Sequence, residues 1–153
     1  MGNSHYLRLL LTLNMDSNSQ HIIPLFEGYC KQSKVDNVDV NCKLGSFPMT
    51  LKVASTPESQ SIGYQNSEMS PEDNQGILFV YPMETNVAFW MKNVKFPLDI
   101  LFFNANKEMV HRETMQPDTY PKTYPCPVPA QYAVETKAGW YDRNGEKDLK
   151  LHL

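Results

Sequence analysis

The chain has 153 residues, of which 41% are apolar and 20% charged, with a net charge of −3 at pH 7. That length holds one domain, or one domain with a tail, and the apolar share suffices for a single core. No Lys/Arg block supplies an electrostatic footprint for nucleic acid, and no run of 18 apolar residues is present to cross a membrane as a helix.

Residues 1–36 show no clean hydrophobic period and many Ser, Asn and Gln. Leu7, Leu10, Leu11 and Met15 fit one face of a short helix. Leu7 to Leu13 is short for a signal-peptide core, and no small-residue cleavage site follows it. Met1-Gly2-Asn3-Ser4-His5 would suit myristoylation, but Tyr6 stands where Ser or Thr is needed. The segment therefore reads as an N-terminal extension, weakly ordered or a short helix, with Met1 or Met15 as its start. The domain is placed at 37–153.

Val38, Val40, Cys42 and Leu44 alternate with polar residues, the period of a half-buried strand. Gly45-Ser46-Phe47-Pro48 makes a turn, and Met49, Leu51 and Val53 form the second arm of a hairpin. Thr56-Pro57-Glu58 predicts a helix start, because Thr56 can cap and Pro57 loses no needed hydrogen bond at the first position. Gly63 ends this short helix, and Ser70-Pro71-Glu72-Asp73 repeats the start signal before Gly76. Ile77 to Tyr81 is apolar enough for a central strand. Val87 to Met91, Leu98 to Phe103 and Glu108 to Glu113 follow as strands, the last two joined by a turn at Asn104–Lys107.

The segment 116–130 holds five of the eleven prolines, so it is not central sheet, and its length suggests a functional loop. Tyr132 to Glu135 resumes strand, Gly139-Trp140 opens a short helix or turn, and Leu149, Leu151 and Leu153 alternate as a final strand. About eight short strands predict a mostly β sandwich or barrel with one or two short helices.

The three cysteines, Cys30, Cys42 and Cys126, match no zinc or redox spacing. Read as free thiols, they favour the cytoplasm without excluding export. Cys42 is expected buried, Cys126 more accessible and Cys30 most exposed. The histidines are scattered singly, so no metal site and no cofactor are expected.

Several stretches carry a family resemblance: Val53-Ala54-Ser55-Thr56-Pro57-Glu58, Gly76-Ile77-Leu78-Phe79-Val80, Phe89-Trp90-Met91-Lys92-Asn93, Pro97-Leu98-Asp99-Ile100 and Pro129-Ala130-Gln131-Tyr132-Ala133-Val134-Glu135. With Ala138-Gly139-Trp140 they resemble the domain of unknown function 192 over about residues 38–153. The resemblance implies a compact β-sandwich or barrel with one or two short helices, and no catalytic set. It also implies a Leu-Met-x-Arg segment after the helix glycine, whereas this chain reads Gly63-Tyr64-Gln65-Asn66-Ser67.

Lys92, Asn93 and Asp99 interrupt an apolar block and flank a turn. They suit a polar pocket floor with Trp90 as a stacking wall, and equally a turn with a capping Asp99 and an exposed Lys92. Trp90 and Trp140 are expected mainly as core, the commoner place for such rings. His111, Glu113 and Cys126 form a possible thiol–imidazole–carboxylate set, weakened by the proline-loop setting of Cys126. The function favoured is a non-enzymatic binding or interaction module. Its pocket would be small, polar and aromatic, lie under the loop 116–130, and use Trp90, Lys92, Asn93, Asp99, Glu113 and Tyr124. The partner would be a small polar ligand or a protein. The alternatives are an enzyme acting through Asp99, Glu113 and Glu135, and a structural accessory of a larger assembly.

Overall fold

The computed structural model describes residues 35–153. Residues 1–34, nearly all of the expected N-terminal extension, and with them Cys30, lie outside the described residues. Strands β1 (Asp39–Leu44) and β2 (Phe47–Ala54) form the expected hairpin, turning at Gly45, whose φ of 59° suits glycine. Helix α1 (Pro57–Ile62) then crosses to β3 (Gln75–Thr85). Thr56 caps α1 by accepting from the Ser59 N–H, and the Ser59 hydroxyl accepts from the Thr56 N–H. Strands β4 (Ala88–Trp90), β5 (Leu98–Phe103), β6 (Met109–Met115), β7 (Thr123–Pro125) and β8 (Ala130–Lys137) follow. Helix α2 (Trp140–Asn144) and β9 (Leu151–His152) complete the chain.

Seven strands make one sheet in the order β6-β5-β8-β3-β2-β1-β9, with β2 and β3 parallel and the other pairs antiparallel. The sheet curls into a half-barrel. At one corner the chain entering β6 bridges the chain entering β9, where Met109 N–H donates to Leu149 C=O and Leu151 N–H to Lys107 C=O. Among the described residues the fold is thus mostly β with two short helices, as expected.

Strand alternation sorts the apolar side chains onto two faces. One face buries Leu44, Leu51, Val53, Leu78, Leu101, Phe103, Tyr132 and Val134, together with Trp140. The Trp140 indole N–H donates to the Asp73 carbonyl at 2.9 Å, so its polar atom is satisfied inside the core. The other face buries Phe79, Phe89, Leu98, Ile100, Phe102, Met115 and Tyr124. Fully burying each such aliphatic or Phe side chain stabilises by about 1.5–3 kcal/mol.

Four expectations need correction. Trp90 is 42% exposed, because β4 leaves the main sheet and presents Phe89, not Trp90, to the core. The segment 116–130 contains a strand, β7, which pairs with β4 as a separate ribbon. That ribbon buries Cys126, whose N–H donates to Val87 C=O, so Cys126 is as protected as Cys42. Ser70-Pro71-Glu72 starts no helix. Instead the Gln75 side chain accepts from the Glu72 N–H and the Glu72 carbonyl accepts from the Gln75 N–H, closing a turn.

Candidate functional site

A row of residues crosses the sheet on one face. Asp39 stands opposite Lys52, Lys52 opposite Ile77, Ile77 opposite Glu135, Glu135 opposite Ile100, and Ile100 opposite Glu113. Its ends are accessible and its middle is buried. Glu135 lies in the buried part, 4% exposed, on a strand whose first seven residues are all buried.

Nothing described here pairs with this carboxylate fully. Among the described residues, Oε2 of Glu135 has no hydrogen-bond partner and no ion pair is formed. Its neighbours along the row are Ile77 and Ile100, and Phe79 lies close by. Burial pushes the carboxyl from 4.5 up to about 8, since a low-dielectric setting penalises the anion. Tyr64 and Tyr81 are both pushed up, first by their own burial and then by the charge of Glu135.

Two glycines shape this place. At Gly76 a Cβ would stand 2.3 Å from the Glu135 carbonyl oxygen, so only glycine lets β3 and β8 approach so closely. At Gly63, with φ of 46°, a Cβ would stand 3.4 Å from Oε2 of Glu135 and 3.6 Å from the Phe79 ring, in contact with both. Gly63 ends α1, and its backbone packs closely over the Glu135 carboxylate.

Gly63 also lines a cleft of about 390 Å³. Asp39, Thr50 and Lys52 form one wall, and the chain from Gly63 to Glu72 forms the other. Gln75, Gly76 and Ile77 lie between them. The lining carries two carboxylates, one ammonium and several hydroxyls, with Met69 exposed at the rim. The far wall is braced from outside. Asn66 N–H donates to Asn93 C=O at 2.9 Å, Tyr64 meets Phe96 edge to face at 6.0 Å, and Lys95 pairs with Glu68 at 3.0 Å.

Residues 40–150 match the sequence profile of the domain of unknown function 192, described as an uncharacterised ACR. The chain belongs to this family. No curated protein matches the chain. A Sinorhizobium meliloti protein described as a candidate transcription regulator superposes with a TM-score of 0.71 at 23% identity, over 77% of this chain and 95% of its own. A Novosphingobium aromaticivorans protein of unknown function gives 0.67 at 22%, over 75% and 85%. At these identities the likeness fixes the fold alone.

Within this domain of unknown function 192, the residues singled out in the sequence fall into separate places. Trp90 meets Tyr120 edge to face at 6.0 Å, and Lys92 Nζ lies 5.5 Å from the same Tyr120 ring, so these form an exposed cluster. Asn93 takes φ of 56° in the turn and braces the cleft wall through its carbonyl. Asp99 is buried on the opposite face, accepting from the Thr114 hydroxyl at 2.7 Å and from the Tyr141 N–H of α2 at 3.3 Å. Glu113 is half-buried, 3.8 Å from His111. Tyr124 is buried, and its hydroxyl accepts from the Gln116 N–H and lies 3.0 Å from the Thr119 hydroxyl.

Cys126 does not join His111 and Glu113 as an activated thiol. Burial pushes its thiol upward, the reverse of what a nucleophile needs. Glu135 was visible in the sequence as a charge within Ala130-Gln131-Tyr132-Ala133-Val134-Glu135. The cleft residues Thr50, Lys52, Tyr64 and Gln75 carried no such signal. Their convergence depends on the β2–α1–β3 crossover. Among the described residues no helix is long and apolar enough to cross a membrane.

Proposed function

We propose that this domain is a non-enzymatic binding module that holds a small polar ligand in the cleft between β1–β2 and the chain from Gly63 to Glu72. The observation that supports this most is the cleft itself. It has the size of a small-molecule site, and its lining combines charges of both signs with hydroxyls and an amide. Its far wall is braced at Asn66, Tyr64 and Glu68, so it offers a formed surface at little ordering cost. Trp90 and Lys92 against Tyr120 of the segment 116–130 make a second, exposed polar–aromatic surface.

A second reading, an enzyme, draws on one observation. Glu135 is pushed up to about 8, where a carboxyl exchanges protons near neutral pH. Acid–base chemistry of that kind uses a second group shifted the other way in the same cleft. The lowered carboxylates here are otherwise engaged: Asp36 with Ser55, Thr56 and Ser59, and Asp73 with Arg143. The binding reading is therefore the better supported.

An amide-resolved NMR titration with a set of small polar fragments tests it. Shifts clustering at Gly63, Tyr64, Ser67 and Gly76 are the expected result. Shifts confined to Trp90, Lys92 and Tyr120 would move the site, and no clustered shift at all would end the proposal.

A further inference from the structure

We propose that the cleft selects free α-amino acids in their zwitterionic form, with the ligand carboxylate on Lys52 and its ammonium group on Asp39. This deepens the binding reading and rests on it.

The strands bring these two charges together. Asp39 on β1 and Lys52 on β2 stand directly opposite in an antiparallel pair, and both line the cleft. Side chains so placed start about 5 Å apart, near enough to pair with each other. They do not pair. Among the described residues neither has an ion pair or a side-chain hydrogen bond, and both are exposed. Each is free to take an outside group. The charge of Asp39 also reaches across the cleft. The Tyr64 phenol on the far wall is pushed up first by burial, then by Glu135 and then by Asp39.

The pattern of charge points to the ligand class. A pure cation would suit Asp39 and Glu72 but bring a like charge to Lys52. A pure anion would suit Lys52 but meet both carboxylates. A zwitterion satisfies both signs, and an α-amino acid carries its two charges on one carbon, a spacing that fits receivers one strand apart. Gln75 supplies a second donor for the ligand carboxylate. It stands opposite Thr50, diagonally from Lys52 on the same face. Its Oε1 accepts from the Glu72 N–H at 3.1 Å, which holds the amide in place and leaves its NH2 group to donate. Glu72 adds a second acceptor for the ammonium group. Ile77, beside Lys52 in the row, and Met69, exposed at the rim, offer apolar contact to an aliphatic ligand side chain.

The test uses the full chain at about pH 6, where an α-amino group is charged. Amide NMR follows three probes: L-leucine, its methyl ester, which is only a cation, and N-acetyl-leucine, which is only an anion. Leucine is expected to move Gly63, Tyr64, Ser67 and Gly76, and to bind at least about fivefold tighter than either single-charge probe. Lys52→Met should erase the preference over the ester, and Asp39→Asn the preference over N-acetyl-leucine. Both positions are exposed, so neither change disturbs the core. Loss of the preference in Lys43→Met, exposed on β1 outside the cleft lining, would overturn the assignment to Lys52. Equal or reversed preference among the three probes at the cleft would overturn the zwitterion proposal and leave the cleft reading intact. Absence of leucine shifts from the cleft would overturn it too, and the fragment titration alone would then decide the cleft reading.

Discussion

Replacing Glu135 by Gln should change how stability responds to pH, and the sign follows from burial. The folded carboxyl is pushed up to about 8, from 4.5. The folded state thus holds its proton more tightly than the unfolded state. Below about pH 4.5 both states are protonated and this group imposes no charge penalty. As pH rises from there to about 8, the unfolded chain ionises first and stability is lost, levelling off above the folded value. At about 1.4 kcal/mol per pH unit, the whole loss is on the order of 5 kcal/mol, most of it already felt by pH 7. Gln is nearly isosteric and never ionises, so the variant loses this slope. Urea denaturation of both proteins at pH 5, 7 and 8.5 measures it. The difference in unfolding free energy should shift in favour of the variant by several kcal/mol between the first and last pH. Parallel pH profiles for the two proteins would refute the reasoning, since they would mean that Glu135 ionises alike in folded and unfolded chains.

Trp140→Ala should cost about 3–5 kcal/mol in equilibrium denaturation, while Trp90→Ala, on an exposed ring, should cost under about 1.5 kcal/mol. Asp36→Ala should cost roughly 1–3 kcal/mol, since its carboxylate accepts from the Ser55 N–H and from the Thr56 and Ser59 hydroxyls. Burial raises the Asp36 carboxyl, but those hydrogen bonds outweigh it and hold the group lowered, so its contribution is present above about pH 4 and fades in acid, as a pH series would show. Thiol labelling of the native protein should spare Cys42, which burial pushes up to about 12, and Cys126 alike, with both reacting on unfolding. Asn93→Val should cost about 1–3 kcal/mol by forcing a β-branched residue to φ of 56°, while Asn93→Gly should be close to neutral, and thermal melts would separate the two.

Much of the fold was legible because its signals are local. The alternation from Val38 to Val53 specified a hairpin, and Thr56-Pro57 with Gly63 bounded α1 where it stands. The ribbon of β4 and β7 was not legible, because its pairing joins Ala88 to Pro125 and Trp90 to Thr123 across a long separation. That hidden pairing also decided which aromatic is core. Phe89 and Trp90 are adjacent and equally apolar, and only the ribbon's orientation turns the first inward and the second out. Cys126 was misjudged for the same reason. The site was legible in one residue, Glu135, as a charge in an apolar strand. The cleft beside it depends on where a crossover lays residues 63–72 across β2, and no periodicity encodes that.

The apolar block that dominates the sequence, Phe89 to Phe103, has a role at the cleft that differs from its appearance. Its polar breaks do not gather into one pocket floor. Asp99 faces the other side of the sheet and ties Thr114 and the start of α2 in place. Asn93 supplies a left-handed turn whose carbonyl holds Asn66, while Phe96 and Lys95 hold Tyr64 and Glu68. Three contacts from one turn thus fix the wall that carries Gly63's neighbour and the cleft's rim. Displacing that wall would move Tyr64 away from Glu135 and change the width of the cleft. The block therefore shapes the cleft through position, since its turn holds the wall while none of its own side chains lines the cleft. A substitution in the turn should therefore alter affinity for charged and neutral fragments together, because it moves the wall and leaves the charges of the lining in place.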